Sequence, residues 1–181
     1  MSAGRTSRFR SDIRQWSSPQ TFGAHLRMHD NAICDWVSTI VVHHTVSPTL
    51  RQWRGRASME AIRRYYISLG WDSGPHLFLS SGSPRASDDG VWQLTAINER
   101  GIHAGICNRN SIGIEVVGWY DTQGWSSSME TLVINTIVEL YRWLPRAPIS
   151  IIGHRDCGSP KTCPGRAISM ARVRTLVYEQ L

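Results

Sequence analysis

No stretch of this 181-residue chain approaches the roughly 18 consecutive apolar residues that a membrane-spanning helix needs, so no transmembrane segment is expected. The basic opening stretch MSAGRTSRFRSDIRQW is not followed by an apolar run of the kind that drives secretion. Synthesis in the cytoplasm is expected, and any action outside would depend on lysis or another export route. Four cysteines (Cys34, Cys107, Cys157 and Cys163) are too few to build a disulfide scaffold of this size, and only Cys157 and Cys163 are close in sequence. Internal repeats and an internal linker are missing too, which leaves a single domain around one core.

What is present is globular in character: 41% apolar residues and eight tryptophans. The net charge of +6 favours polyanionic surroundings or serves solubility alone. Nucleic acid, anionic lipid and the phosphate-rich polymers of bacterial envelopes are the candidate polyanions. The arginines are scattered, with the densest cluster at Arg5, Arg8, Arg10 and Arg14, and no nucleic-acid motif is visible. Residues 1–30, polar and weakly periodic, read as a basic extension with partial helix, and residues 31–181 as the domain.

WVSTIVVHHT (Trp36 to Thr45) is apolar and β-branched, the pattern of a strand buried on both faces, and Pro48 stops it soon after His43 and His44. Met59, Ile62, Tyr66 and Leu69 recur at helical spacing before Gly70. HLFLS (76–80) reads as a strand, and Asp89-Gly90 as a hairpin turn leading into VWQLT. SIGIEVVG (111–118) is a further buried strand interrupted by one charge, Glu115. A long helix follows, with Val133, Ile137, Leu140, Tyr141 and Leu144 on one face and a capping box expected from Ser127 and Glu130. ISIIG reads as a short strand and AISMARVRTLVYEQL as a final helix. Interspersed strands and helices predict an α/β class, a single domain with a central mixed sheet flanked by helices.

The stretch IIGHRDCGSPKTCPG (151–165) concentrates a histidine, an acid, a lysine and two cysteines in a loop that its glycines and prolines hold out of helix and strand. Side chains at strand ends carry function in open α/β sheets, and both His43 and His154 stand at such ends. Two imidazoles and a thiolate suit zinc with its fourth position open, so His43, His154 and Cys163 form a candidate ligand set. A closed site would add Cys157, and a loop disulfide between Cys157 and Cys163 is the plain alternative. Glu115, a carboxylate among Ile114, Val116 and Val117, is costly to bury unless paired or beside a metal, which marks it as a candidate site residue. Lys161, two residues before Cys163, is placed to face a substrate oxygen.

Taken together these pieces resemble the zinc-dependent N-acetylmuramoyl-L-alanine amidases of type 2, a family that also takes in amidase-type phage lysozymes and peptidoglycan-recognition proteins. The matching segments VVHHT, GWDSGPHLFL, GIHAG, NRNSIGIEVVG and GHRDCGSPKTCPG run in that order over residues 36–165. The resemblance implies zinc on His43, His154 and Cys163, a catalytic lysine at Lys161, a general base at Glu115 and a groove-lining, substrate-binding histidine at His103. His44, His76 and Cys157 match no ligand position, and Pro75 stands where several members carry a catalytic tyrosine. Implied further are a monomer acting on bacterial cell-wall peptidoglycan, hydrolysis of the amide between the lactyl group of N-acetylmuramic acid and L-alanine, and sugar stacking on Trp71, Trp119 or Trp125. Anionic envelope polymers are a possible second partner through the basic residues, and nucleic acid is not expected. Two rivals stand beside this reading: a receptor of the same fold that binds peptidoglycan without cutting it, and a structural zinc or disulfide domain that binds nucleic acid.

Overall fold

The apolar run around Val41 forms the strand on which the sheet is built. The computed structural model describes residues 9–10, 12–29, 34–145, 148–158 and 160–181. Strand β2 (Thr39–His44) is buried at all six positions. It lies between β5 (Ser111–Val116) and β6 (Ser150–Gly153) and is parallel to both. On the far side of β5 comes β3 (Leu77–Ser80), also parallel, and then β4 (Gly90–Gln93), antiparallel to β3. A short edge strand, β1 (Arg14–Trp16), closes the order β1-β4-β3-β5-β2-β6. The expected mixed sheet is the observed one.

Side chains alternate across a strand, and that alternation sorts the two faces of this sheet. Ile40, Val42, Ile112, Ile114 and Val116 enter the main core together with the buried side of α3 (Ser127–Trp143). Helices α1 (Pro19–His29) and α4 (Met170–Tyr178) pack against α3. The intervening positions Val41, His43, Gly113 and Glu115 point to the opposite face. There Met59 of α2 (Arg56–Ser68), together with Trp53 from the turn before that helix, covers Phe78, Trp92 and Val117. Leu69 ends α2, and Gly70 follows at φ +79°, a conformation that glycine adopts without strain.

Two expectations are corrected here. Residues 12–29 are not an extension apart from the domain: β1 adds to the sheet, Phe22 and Leu26 are fully buried, and Arg27 pairs with the nearly buried Glu139 of α3 at 2.7 Å. A Cβ at Gly23 would overlap that Glu139 carboxylate, so glycine lets α1 approach α3 closely. The remainder of the expected extension, residues 1–8, 11 and 30, lies outside the described residues. The expected capping box does not form: Ser126 is the N-cap, its Oγ accepting from the Met129 N–H at 3.2 Å. Glu130 instead receives Arg172 of α4 at 2.8 and 2.9 Å. The alternative of a Cys157–Cys163 loop disulfide is set aside as well. Cys157 is bridged to Cys107, fifty positions away with Cα atoms 6.0 Å apart, and Cys163 is free. The bridge ties the turn 105–109, folded over Val41, to the turn that follows β6.

Two stability tests follow from this packing. Phe22→Ala should lower the unfolding free energy by about 3–5 kcal/mol in denaturant titrations, the cost of emptying a buried aromatic site; a loss below about 1 kcal/mol would return α1 to the status of an appendage. Replacing both Cys107 and Cys157 by serine should cost about 2–4 kcal/mol, because the denatured chain regains a long loop.

Candidate metal centre and groove

The loop after β6 is shaped by its polar side chains. The Asp156 carboxylate accepts the Gly153 N–H at 2.9 Å, and a Cβ at Gly153 would come 2.7 Å from Pro164, so glycine lets the loop fold back on its own strand. Arg155 holds the returning limb: its N–H donates to the Cys163 carbonyl at 2.9 Å, and its guanidinium donates to the carbonyls of Thr162, Gly165 and Ile168. Asp121 takes the Thr162 hydroxyl at 3.1 Å and the Arg166 N–H at 3.0 Å. A loop held at so many points keeps His154 and Cys163 in fixed relation.

His43, from the end of β2, completes the group. One donor atom from each of His43, His154 and Cys163 lies within 4.8 Å of the others. The His44 N–H points at Cys163 Sγ from 3.4 Å, a contact that favours a thiolate. Burial keeps the imidazole of His43 far below its ordinary titration range, aided by His103 and His154, and lowers His154 as well. Burial also pushes the Cys163 thiol up to about 12. Neutral imidazoles and a thiol that only a cation can ionise at neutral pH are the chemistry of a metal cradle, and the nitrogen-nitrogen-sulfur set fits zinc.

Glu115 lies beside this cradle because the parallel register sets it opposite His43. Its side chain is 12% exposed, and Oε2 is buried with no hydrogen-bond partner among the described residues. Oε1 is 3.9 Å from His43 Nδ1, too long for a hydrogen bond, and the imidazole is neutral. Burial raises the Glu115 carboxyl to about 8, while the Lys161 ammonium works against the rise. Lys161 is the sole lysine of the chain and lines the same groove.

That groove, about 490 Å³, has Tyr65, Tyr66, Leu69 and Trp71 along one side and Lys161 to Cys163 along the other. Pro75 lies in its wall, where the resemblance implies a tyrosine in other members. Tyr66 of α2 enters instead, stacked on Trp71 with ring centres 5.2 Å apart, its hydroxyl pushed upward by burial and by Glu115. Sequence reading placed Tyr66 on the apolar face of its helix and passed over it as a site residue. The adjacent pair Tyr65-Tyr66 was the available signal, and both rings border the groove.

The other histidines sort by their partners. His76 accepts the Gly113 N–H on Nδ1 at 3.0 Å, so Nε2 carries the proton it donates to the Glu99 carbonyl at 2.8 Å. It is a structural cross-link. His44 accepts the Tyr120 N–H on Nδ1 at 3.2 Å. His103 borders the groove as expected, but both ring nitrogens are engaged within the protein, by His43 and Ser111. Of the three tryptophans weighed for sugar stacking, Trp71 is in the groove, Trp125 packs against the main core, and Trp119 is 46% exposed beside Asp121.

This fold is shared with solved proteins. The endolysin N-acetylmuramoyl-L-alanine amidase LysCS of Clostridium intestinale superposes with a TM-score of 0.63 at 19% identity, covering 78% of this chain and 84% of that one. Drosophila PGRP-LB superposes with the same score at 18% identity, over 93% of this chain and 87% of that one. In sequence, the peptidoglycan-recognition protein SC2 of Drosophila melanogaster is 27% identical over 154 residues, 83% of this chain and 80% of the relative. The family model described as N-acetylmuramoyl-L-alanine amidase matches residues 35–166, a span that takes in every member of the cradle and groove described above. The chain belongs to the N-acetylmuramoyl-L-alanine amidase family.

Proposed function

We propose that this protein is a zinc-dependent N-acetylmuramoyl-L-alanine amidase that separates the stem peptide from the glycan strand of bacterial peptidoglycan. The observation that carries the reading is Glu115: a buried, unpartnered carboxylate facing the groove next to a complete His43–His154–Cys163 set. A protein that only bound its ligand would gain nothing from the cost of burying that group.

Held by His43, His154 and Cys163, zinc would supply Lewis acidity to the amide carbonyl and to a water molecule. Glu115 takes the proton of the attacking water and returns it to the departing amine of L-alanine. Burial favours the protonated form of this carboxyl, so a proton taken from the water is held until the amine departs. Lys161 brings positive charge to the groove as the carbonyl oxygen becomes anionic, an effect on the order of 3 kcal/mol for a single well-placed donor. Trp71 and Tyr66 offer stacked ring surface to the apolar face of a sugar. The chain's charge of +6 supports retention on anionic envelope polymers, with action at the wall after lysis or export by another route.

The decisive measurement is mass spectrometry of defined muropeptides after digestion. New N-terminal alanine should appear, vanish on exhaustive chelation and return with added zinc. Muropeptide bound without any new amine would instead identify a receptor of the same fold, and turnover that persists without metal would remove zinc from the account. Glu115→Gln should keep its zinc and its fold while losing turnover by about 100-fold or more. A rate within a few-fold of the parent would assign the proton transfer to another group.

A further inference from the structure

We infer that His103 is a positioning residue of the metal centre: through a four-member hydrogen-bond relay it fixes which nitrogen of His43 is left free for the metal. The inference rests on the metal-centre reading above and concerns how that site is built.

The relay can be followed atom by atom. The Ser111 hydroxyl lies 2.5 Å from the Cys107 carbonyl, which can only accept, so the single hydroxyl hydrogen is spent there. Ser111 Oγ also lies 3.4 Å from His103 Nε2 and must accept in that contact, which puts the His103 proton on Nε2. The His103 ring stands edge-on to the imidazoles of His43 and His76, with centres 5.1 and 5.7 Å away, and neither of its hydrogen-bond partners is an anion that would hold a second ring proton. Its Nδ1 therefore has a lone pair and accepts from His43 Nε2 at 3.0 Å. His43 Nε2 carries the hydrogen, and Nδ1, the nitrogen that faces Glu115, is left with the lone pair.

The surroundings hold His103 to this task. The Asn108 amide oxygen accepts the backbone N–H groups of His103 and Ala104 at 3.0 and 2.6 Å. Gly113 makes room for the ring, since a Cβ there would sit 2.6 Å from His103 Nδ1. The last acceptor, Cys107, is joined by its disulfide to Cys157, three residues beyond His154. One turn of chain thus orients one imidazole ligand through hydrogen bonds and tethers the loop of the other through sulfur. Ligand histidines held by a second acceptor in this way are more basic and lose little freedom on binding.

Ring-nitrogen NMR of the histidine-labelled protein tests the inference without any substitution. Metal-free and zinc-loaded protein should both show His43 protonated on Nε2 and His103 protonated on Nε2; a His43 proton on Nδ1 in the metal-free protein would overturn the relay. Zinc affinity, measured by competition with a chromophoric chelator, gives a second readout. His103→Leu should weaken binding by about 10- to 100-fold, and His103→Asn, whose amide oxygen can accept from His43, should recover most of the loss. A leucine variant that holds zinc as tightly as the parent, or an asparagine variant as weak as the leucine one, would also overturn it. The hydrolytic reading fails separately, if the parent protein carries this tautomer and releases no alanine.

Discussion

The parallel register between β2 and β5 is the constraint on which the site depends. With Thr39 opposite Ser111, the pairing runs up the strands to put His43 opposite Glu115. Period-two alternation then sends both to the groove face, while Val42 and Ile114 go to the core. A slip of one residue would exchange these pairs, burying the imidazole and the carboxylate among α3 side chains and exposing two aliphatic residues. The large apolar face under α3 therefore enforces the geometry of the site. Its hydrophobic burial is far stronger than any contact within the site, and it allows a single register. The parallel pairing of β6 with the other edge of β2 ends at Val42 opposite Gly153, which delivers His154 to the same end of the sheet.

Around that frame the protein gathers groups that are badly served without a cation. Glu115 has a buried oxygen with no partner, the Cys163 thiol is held far above its usual range by burial, and His43 is kept neutral. Each is unfavourable alone, and together they leave a local deficit of positive charge that Lys161, at the groove, offsets only in part. A divalent ion held by His43, His154 and Cys163 would relieve the thiol directly and draw the carboxyl back toward its ordinary range. The same burial that disfavours these groups singly would make the three-ligand set a strong attractor for metal. Rigid support follows from this: Arg155, Asp121 and the Cys107–Cys157 bridge keep the loop from relaxing toward solvent, which would be the easier way to relieve the strain.

Much of this was legible in the sequence because it rests on local pattern. Uninterrupted β-branched residues at 39–44, the charge inside SIGIEVVG, and the punctuation of GHRDCGSPKTCPG each report a physical requirement within a few residues of itself. What was not legible depends on long-range contact. Ile13, Trp16, Phe22 and Leu26 are too widely spaced among polar residues to show a period, yet β4 and α3 supply the partners that make β1 and α1 part of the core. The Cys107–Cys157 pair is fifty positions apart and is brought together only by the turn that lies across Val41. Proximity in sequence favoured the neighbour Cys163, whose thiol the fold turns toward the two histidines instead. The Ser126 cap shows the smallest scale of such error: the hydroxyl that reaches the Met129 N–H is one residue before the one that matched the pattern.

Within this fold, cradle and chemistry are separable. Three ligands can hold an ion wherever the register and the loop bring them together, but hydrolysis also needs a group that can lose and regain a proton beside the scissile bond. Pro75 removes a hydroxyl from the strand position where the resemblance implies one, and a proline cannot replace it. The groove nevertheless retains two protic groups from other elements, Glu115 from the middle of the sheet and Tyr66 from α2, and the carboxylate raises the affinity of the phenol for its proton. With two such groups in one enclosed space, only one can readily be ionised, as for any like-charged pair. The carboxyl titrates first because its intrinsic acidity is greater by several orders of magnitude. That ordering leaves Tyr66 as a permanent donor and Glu115 as the group whose charge can change, a division of labour that suits the proposed amide hydrolysis.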